Sequence, residues 1–228
     1  MRASPFTGVL DGNDHRVSHL AIAGVDYVGL FGYVGPGAEV KDLGVVDVNI
    51  TASGYRVGGL VGSNGGWGAG GTVTHCYSTG TVSAIGSVGG LVGFNSGIVT
   101  GCYSTSAVSS TGDHAGGLLG YNYYGGVTQC YSTGPVSGNG KYVGGLVGRR
   151  TVNAVVTDCF WDTRASGQAT SAGGTGKTTV EMQTAQTFLE AGWDFVGETA
   201  NGTEDIWWIL EGKDYPRLWW EQGDEASP

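Results

Sequence analysis

Gly58-Gly59-Leu60-Val61-Gly62 returns as Gly89-Gly90-Leu91-Val92-Gly93, as Gly116-Gly117-Leu118-Leu119-Gly120 and as Gly144-Gly145-Leu146-Val147-Gly148. A looser copy, Val28-Gly29-Leu30-Phe31-Gly32, stands ahead of them. Between the quintets runs a second motif: Cys76-Tyr77-Ser78-Thr79-Gly80, Cys102 to Thr105, Cys130 to Gly134, and a worn Cys159-Phe160. The leucines at 30, 60, 91, 118 and 146 are separated by 30, 31, 27 and 28 residues. A period near 28 with no helical 3.6 pattern specifies a solenoid, in which each unit buries its apolar face only against its neighbours.

Each regular unit reads as three short strands with turn residues between them. VGGLVG leads to an Asn corner at Asn64, Asn95 or Asn122; a strand carrying Cys-Tyr-Ser follows, and then TVSA, AVSS or PVSG. The expected fold is therefore all-β: a right-handed parallel β-helix with coils of about 28 residues. Residues 1–160 form the solenoid, with irregular first coils over 1–55 and regular repeats over 56–160.

Alternation places Leu60, Leu91, Leu118 and Leu146 in the lumen together with Cys76, Cys102, Cys130 and Cys159. The same rule turns Tyr77, Tyr103, Tyr131 and the following threonines outward. Asn64, Asn95 and Asn122 stack at one corner, where amides can bond from rung to rung. The cysteines recur once per repeat at one position, so they read as a buried ladder of small hydrophobes rather than a disulfide framework.

The chain has 228 residues, 45 of them glycine, and a formal net charge of −9. Residues 1–150 balance seven acids against seven bases; residues 151–228 hold thirteen acids against four bases, which supplies the whole −9. An acidic pI near 4.7 argues against nucleic acid and anionic membrane as partners. No apolar run is long enough for a membrane-spanning helix. The N-terminus lacks the apolar core of a signal peptide, and the expectation is a piece of a longer exported protein.

Residues 161–228 change character. Thr178 and Glu181 have capping-box spacing. Met182, Ala185, Phe188 and Leu189 then share one helical face, and Gly192 is a natural stop. Five of the seven tryptophans follow. An acidic, Trp-rich α+β cap with one helix and a hairpin from IWWILEG and PRLWWE is expected over the solenoid's open end.

The quintet followed by Asn-x-Gly-x-Val-x-x-Cys-Tyr-Ser-Thr-Gly resembles the GLUG repeat family over roughly residues 5–160. The opening Pro5-Phe6-Thr7-Gly8-Val9-Leu10-Asp11-Gly12-Asn13 and the closing Cys159 to Thr163 resemble segments that flank such repeats. The resemblance implies an extracellular or cell-surface bacterial β-solenoid, of the kind found in adhesin-like proteins and in non-catalytic parts of immunoglobulin A peptidases. It brings no catalytic residues with it.

The residues themselves give no catalytic site either. Gly173 to Thr179 suggests a phosphate loop, but Ser171 stands where the first glycine of GxxxxGK[ST] belongs. None of His15, His19, His75 and His114 has HExxH neighbours. Asp113 and Asp158 are the acids of the regular repeats, too few and too scattered for a glycosidase pair, and Lys141, Arg149 and Arg150 make a basic spot without the acids that a Ca²⁺-dependent lyase needs. A flat Tyr/Thr ladder could bind ice, but three rungs with tyrosines are poorly suited to it. No cofactor or metal is expected.

The binding candidates are the aromatics after the quintet: Phe94 and Tyr121 at one repeat position, with Trp67, Tyr123 and Tyr124 in the adjoining loop. Exposed, they form a strip for sugar rings; packed, they only shield the corner. The functional expectation is a non-enzymatic structural and adhesive module. Alternatives are a carbohydrate-binding module meeting a polysaccharide or surface glycan, and a subunit that self-associates end to end.

Overall fold

A computed structural model describes residues 4–226; residues 1–3 and 227–228, at the extremes of the two expected regions, lie outside the described residues. The chain forms a parallel β-solenoid of about five turns. Three parallel sheets run along it, but not one per expected strand: the VGGLVG segment is split between two of them, and the Cys-Tyr-Ser and TVSA-type strands share the third.

The Gly sheet stacks Tyr55–Gly58, Gly86–Gly89, Ala115–Gly116 and Val143–Gly144. The Asn sheet stacks Phe31–Val34, Val61–Asn64, Val92–Asn95, Leu119–Asn122 and Val147–Arg150. The Cys sheet has 13 strands, including the long Glu39–Ala52 and Thr72–Ala84, which each run through about half a coil. Register is strict: Tyr103 lies against both Tyr77 and Tyr131, and Asn95 against both Asn64 and Asn122.

The GGLVG quintet is the turn that joins the Gly and Asn sheets. Its leucines are fully buried in the lumen with the four cysteines. Period-2 alternation fails here: Val61, Val92, Leu119 and Val147 lie in the same apolar cluster as the leucines beside them. The turn is too tight for side chains on its arms. A Cβ on Gly59 or Gly90 would collide with the hydroxyl of Ser78 or Ser104 across the lumen. The two repeat motifs are thus matched halves: the glycine pair makes room for the serine of Cys-Tyr-Ser.

Polar ladders close the remaining gaps. Asn64 donates its amide to Asn95 Oδ1 at 2.9 Å, and Asn95 donates to Asn122 Oδ1 at 3.0 Å. These amides are wholly buried, so each bond spares a large desolvation penalty. The thiols are free; Cys102 Sγ accepts the Cys76 N–H, Cys130 Sγ that of Cys102, and Cys159 Sγ that of Cys130, each at 3.4 Å. Burial pushes the thiols of Cys102, Cys130 and Cys159 well above their ordinary range, which suits packing rather than reactivity.

The C-terminal end is sealed by a short segment. Trp161 takes the column occupied by Ser78, Ser104 and Ser132, and its ring fills the space beside Gly145. Asp162 caps helix α1 (Thr163–Ser166) by accepting the N–H groups of Arg164 and Ala165 at 2.8 Å. The Gly145 N–H then donates to Thr170 and that of Ala172 to Val147, and Thr175–Lys177 adds a last strand against Phe160–Asp162.

Beyond Lys177 the tail departs from the expected end cap. It turns back along the solenoid as a lateral strap and covers the tyrosine face, which leaves no flat Tyr/Thr surface for ice. The expected single helix is two, α2 (Thr179–Met182) and α3 (Ala185–Leu189). The capping box at Thr178 and Glu181 is formed, but the chain breaks at Gln183 and Thr184 so that Met182 and Phe188 can both reach the tyrosines. Trp207–Trp208 pairs antiparallel with Arg217–Leu218, giving the expected hairpin.

The strap and the ladder share a second core. Tyr77, Tyr103 and Tyr131 stack at 4.8 and 5.0 Å and within 6° of parallel; Met182, Phe188, Trp193, Trp207 and Leu218 close over them, fully buried. Moving along the strap, contacts step back rung by rung. Trp193 Nε1 donates to the Asp158 carbonyl at 2.9 Å and Tyr215 Oη to Asp162 at 2.8 Å. Tyr131 Oη donates to the Pro216 carbonyl, Tyr103 Oη donates to Glu221 at 2.9 Å, and Trp220 packs on Tyr77 and beneath Arg16.

The opposite end is blunted by other means. Val9–Ser18 pairs with Glu39–Ala52 and with no other strand among the described residues. Its register breaks between Asp11 and His15, where Asn13 and Asp14 adopt positive φ, and it carries Asp11, Asp14, His15 and Arg16. A bulged, charged edge opposes strand addition.

Candidate functional site

Two columns of side chains flank the quintet turn and face each other across a cleft. The residue one place before Val/Ala-Gly-Gly-Leu is Arg56, Ser87, His114 or Tyr142, aligned in neighbouring strands with Tyr27 in the first coil. The residue just after the quintet is Ser63, Phe94, Tyr121 or Arg149, aligned with Tyr33. Both columns come from the repeat's own register, so each rung contributes one residue to either wall.

Backbone geometry aims the first column. Tyr27, Arg56, Ser87 and His114 all have positive φ, between 49° and 68°. This conformation is uncommon for residues with a side chain and turns Cβ away from its strand neighbours. Here it swings the side chains toward the Asn-sheet column. The Arg56 guanidinium lies 4.0 Å from the centre of the Phe94 ring and 5.2–5.3 Å from those of Tyr27 and Trp67. His114 stacks between Tyr121 and Tyr142, at 5.0 and 5.2 Å. Arg149 lies over the same two rings, at 5.1 and 4.8 Å.

The result is a cleft of about 550 Å³ walled by Tyr55, Arg56, Trp67, Phe94, His114 and Tyr121, with Asp113 at its rim. Of the five aromatics expected to form a strip, Phe94 is 1% exposed and is the floor. Trp67 lies edge-on above it and stands 64% exposed; Tyr124 is 54% exposed at the far side of Tyr123. Tyr121 and Tyr123 are half-buried between these extremes. The structure brings all five together in one continuous ring network.

Charge in the cleft is arranged unevenly. Arg56 donates to Ser63 Oγ at 3.3 Å and Arg149 to His114 Nε2 at 3.3 Å. The second bond fixes the imidazole as an acceptor at Nε2, with its proton on Nδ1 beside Ser87 Oγ at 3.4 Å. Burial, aided by the Arg149 charge, lowers the His114 pKa, so the ring stays neutral near pH 7. Asp113 is the one carboxylate among the cleft's described lining residues, and its Oδ1 accepts the Lys141 N–H at 2.7 Å.

Sequence reading found the second column through its aromatics and missed the first. The signal was present, because Arg56, Ser87, His114 and Tyr142 hold one repeat position, but their chemistry differs and their positive φ is invisible in strand alternation. The ladder residues Cys76, Cys102, Cys130 and Cys159, and Leu60, Leu91, Leu118 and Leu146, lie in the lumen core, away from this surface. Among the described residues no cluster of His, Cys, Asp and Glu is placed to hold a metal ion, and no helix is long and apolar enough to cross a membrane.

Residues 53–83 and 111–137 match the model of the GLUG motif. The chain carries GLUG repeats. A 90-residue stretch is 40% identical to halomucin from Haloquadratum walsbyi (strain DSM 16790 / HBSQ001), covering 39% of this chain and 1% of that protein. The chain thus spans about one-hundredth of this relative's length. In three dimensions the GLUG solenoid is similar to a crystal structure of a candidate immunoglobulin A1 protease from Bacteroides ovatus. The TM-score is 0.67 at 17% identity, over 93% of this chain and 78% of that one. At that identity the likeness establishes the shared fold alone.

Proposed function

We propose that this GLUG solenoid is a non-enzymatic module of an exported surface protein, serving as a spacer and holding a polysaccharide in the two-column cleft. The observation that carries the reading is the open aromatic floor. Phe94, Tyr121 and Tyr123 form a packed base while Trp67 and Tyr124 present ring surface to solvent, which is the arrangement that stacks on sugar rings.

The cleft offers aromatic surface without the paired carboxylates of a glycosidase. Glycoside hydrolysis uses two facing carboxylates, and Asp113 alone lines this wall. The extracellular placement draws support from the GLUG repeats and the likeness to halomucin. Sedimentation with insoluble polysaccharides tests the reading: the protein pellets with at least one glycan, and Trp67→Ala with Tyr124→Ala releases it. A protein that stays in the supernatant with every glycan, or pellets unchanged by both substitutions, sinks the binding role.

A further inference from the structure

We infer that the cleft is built for an acidic polysaccharide, an extended chain of uronate sugars running along the solenoid axis; this rests on the glycan-binding reading above and names its substrate class. The argument starts from two arginines. Arg56 and Arg149 are half-buried, and each is held by ring faces rather than by a carboxylate. Arg56 lies among Tyr27, Trp67 and Phe94, with Ser63 Oγ as its hydrogen-bond acceptor. Arg149 lies over Tyr121 and Tyr142, with neutral His114 as its acceptor.

Ring stacking uses the faces of a guanidinium; with one Nη1 bond given to Ser63 or His114, the remaining in-plane N–H groups are left for a planar anion. A half-buried cation without a counter-ion is electrostatically costly, and a ligand carboxylate removes that cost. Three other cations are given acids: Lys41 pairs with Asp11, Lys177 with Glu181 and Arg217 with Asp214. Arg56, in the cleft wall, and Arg149, at its end, are held by rings instead.

Spacing selects an extended ligand. Arg56 belongs to the Ser63 rung and Arg149 stands three rungs further on in the register of the Asn sheet. At roughly 4.8 Å per rung the two backbone positions are about 14 Å apart along the axis. Phe94 and Tyr121 fill the interval, with Trp67 above them. A uronate chain offers both parts in alternation: carboxylates for the guanidinium forks and C–H ring faces for the aromatics. The neutral His114 keeps Arg149 in place without adding a competing charge.

Single-stranded nucleic acid also combines anions with stackable rings. The net charge of −9 opposes either polyanion alike, so oligothymidylate is carried as a competing ligand in the test.

The test is a titration of the intact chain with polygalacturonate, with neutral xylan and with oligothymidylate, followed by calorimetry and by the part of the tryptophan fluorescence change that Trp67→Phe removes. Polygalacturonate is expected to bind, and to bind more weakly as salt is raised. Arg56→Gln or Arg149→Gln each weakens it by about tenfold or more, the loss of one charge-assisted hydrogen bond. Arg56→Lys, which keeps the charge but loses the fork, restores less than half of that loss. Circular dichroism confirms that the variants are folded.

Equal binding of xylan and polygalacturonate, with both arginine variants unaffected, overturns this inference and leaves the glycan reading standing. Preference for oligothymidylate overturns it in favour of nucleic acid. Binding of none of the three overturns it directly, and the wider polysaccharide panel then decides the broader reading separately.

Discussion

Two faces of this solenoid carry an aromatic column in strict register, and only one is left open. On the Cys sheet, Tyr77, Tyr103 and Tyr131 stack almost parallel and are at most 4% exposed. On the Asn sheet, Phe94 and Tyr121 meet edge to face, beneath a tryptophan that is 64% exposed. The chain spends its last 50 or so residues covering the first face and none of its described residues covering the second. The chemistry of the columns differs accordingly: the covered tyrosines give their hydroxyls to the strap, whereas the open rings hold arginines. A repeat that generates aromatic columns must bury them or use them, and polar supplementation distinguishes the two.

The strongest way to break the comparison is to treat the two tryptophans alike. Trp193 is fully buried against Tyr131, Phe160, Phe188 and Trp207. Trp193→Ala is expected to cost about 3–5 kcal/mol of strap stability. In urea the strap then separates at lower denaturant than the lumen, and a hydrophobic dye reports the uncovered tyrosines. A single unshifted transition would mean that strap and ladder are not one core.

A smaller loss is expected from one hydroxyl. Tyr103 Oη donates to both oxygens of Glu221, which also accepts the Leu218 N–H at 3.0 Å. Tyr103→Phe leaves that buried carboxylate under-bonded and is expected to cost about 1–3 kcal/mol. Equal stability of Tyr103→Phe and wild type in urea titration would show the bond to be dispensable.

Most of the architecture was legible because it is repeated. Leu60, Leu91, Leu118 and Leu146 announce the coil, and Asn64, Asn95 and Asn122 announce its corner, since a column needs the same residue at the same place. What the strap does was not legible. Its Met182, Phe188 and Trp207 occur once each, and nothing in a single copy says whether an apolar set meets the end of a solenoid or its side. The helix divided for the same reason, because reaching tyrosines on successive rungs outweighed a continuous hydrogen-bond ladder. At the open cleft, aromaticity exposed one wall, while Arg56 and His114 were hidden by a left-handed backbone that strand alternation does not encode.

Acidity sharpens the comparison further, because the covered face holds a buried acid. Burial raises the Glu221 pKa above 4.5, against the opposing pull of Leu218, Tyr103, Arg16 and Arg217. The folded protein therefore binds this proton more readily than the unfolded chain. Its contribution to stability is fully present below pH 4.5 and is lost as pH rises through the folded value. Glu221→Gln is expected to flatten that part of the stability curve, measured as urea midpoints across the acid range. An unchanged slope would place the titration elsewhere.

The smallest effect on stability belongs to the open face and should be the largest on binding. Trp67 touches Phe94 and Tyr123 by its edges, has the Arg56 guanidinium over its ring, and is otherwise largely in water. Aromatic pairs of this kind are worth about 0.5–1.5 kcal/mol, so Trp67→Ala should lower stability by about 1 kcal/mol, well below the cost at Trp193. If the cleft is a binding surface, glycan retention falls severely in the same variant. A large stability loss without any effect on retention would reverse the assignment, making Trp67 a lid over Phe94 like the strap over Tyr103. The two tryptophans share a residue type, each packs on an aromatic of its own repeat column, Phe94 or Tyr131, and they differ in whether the chain itself supplies the second side of the contact.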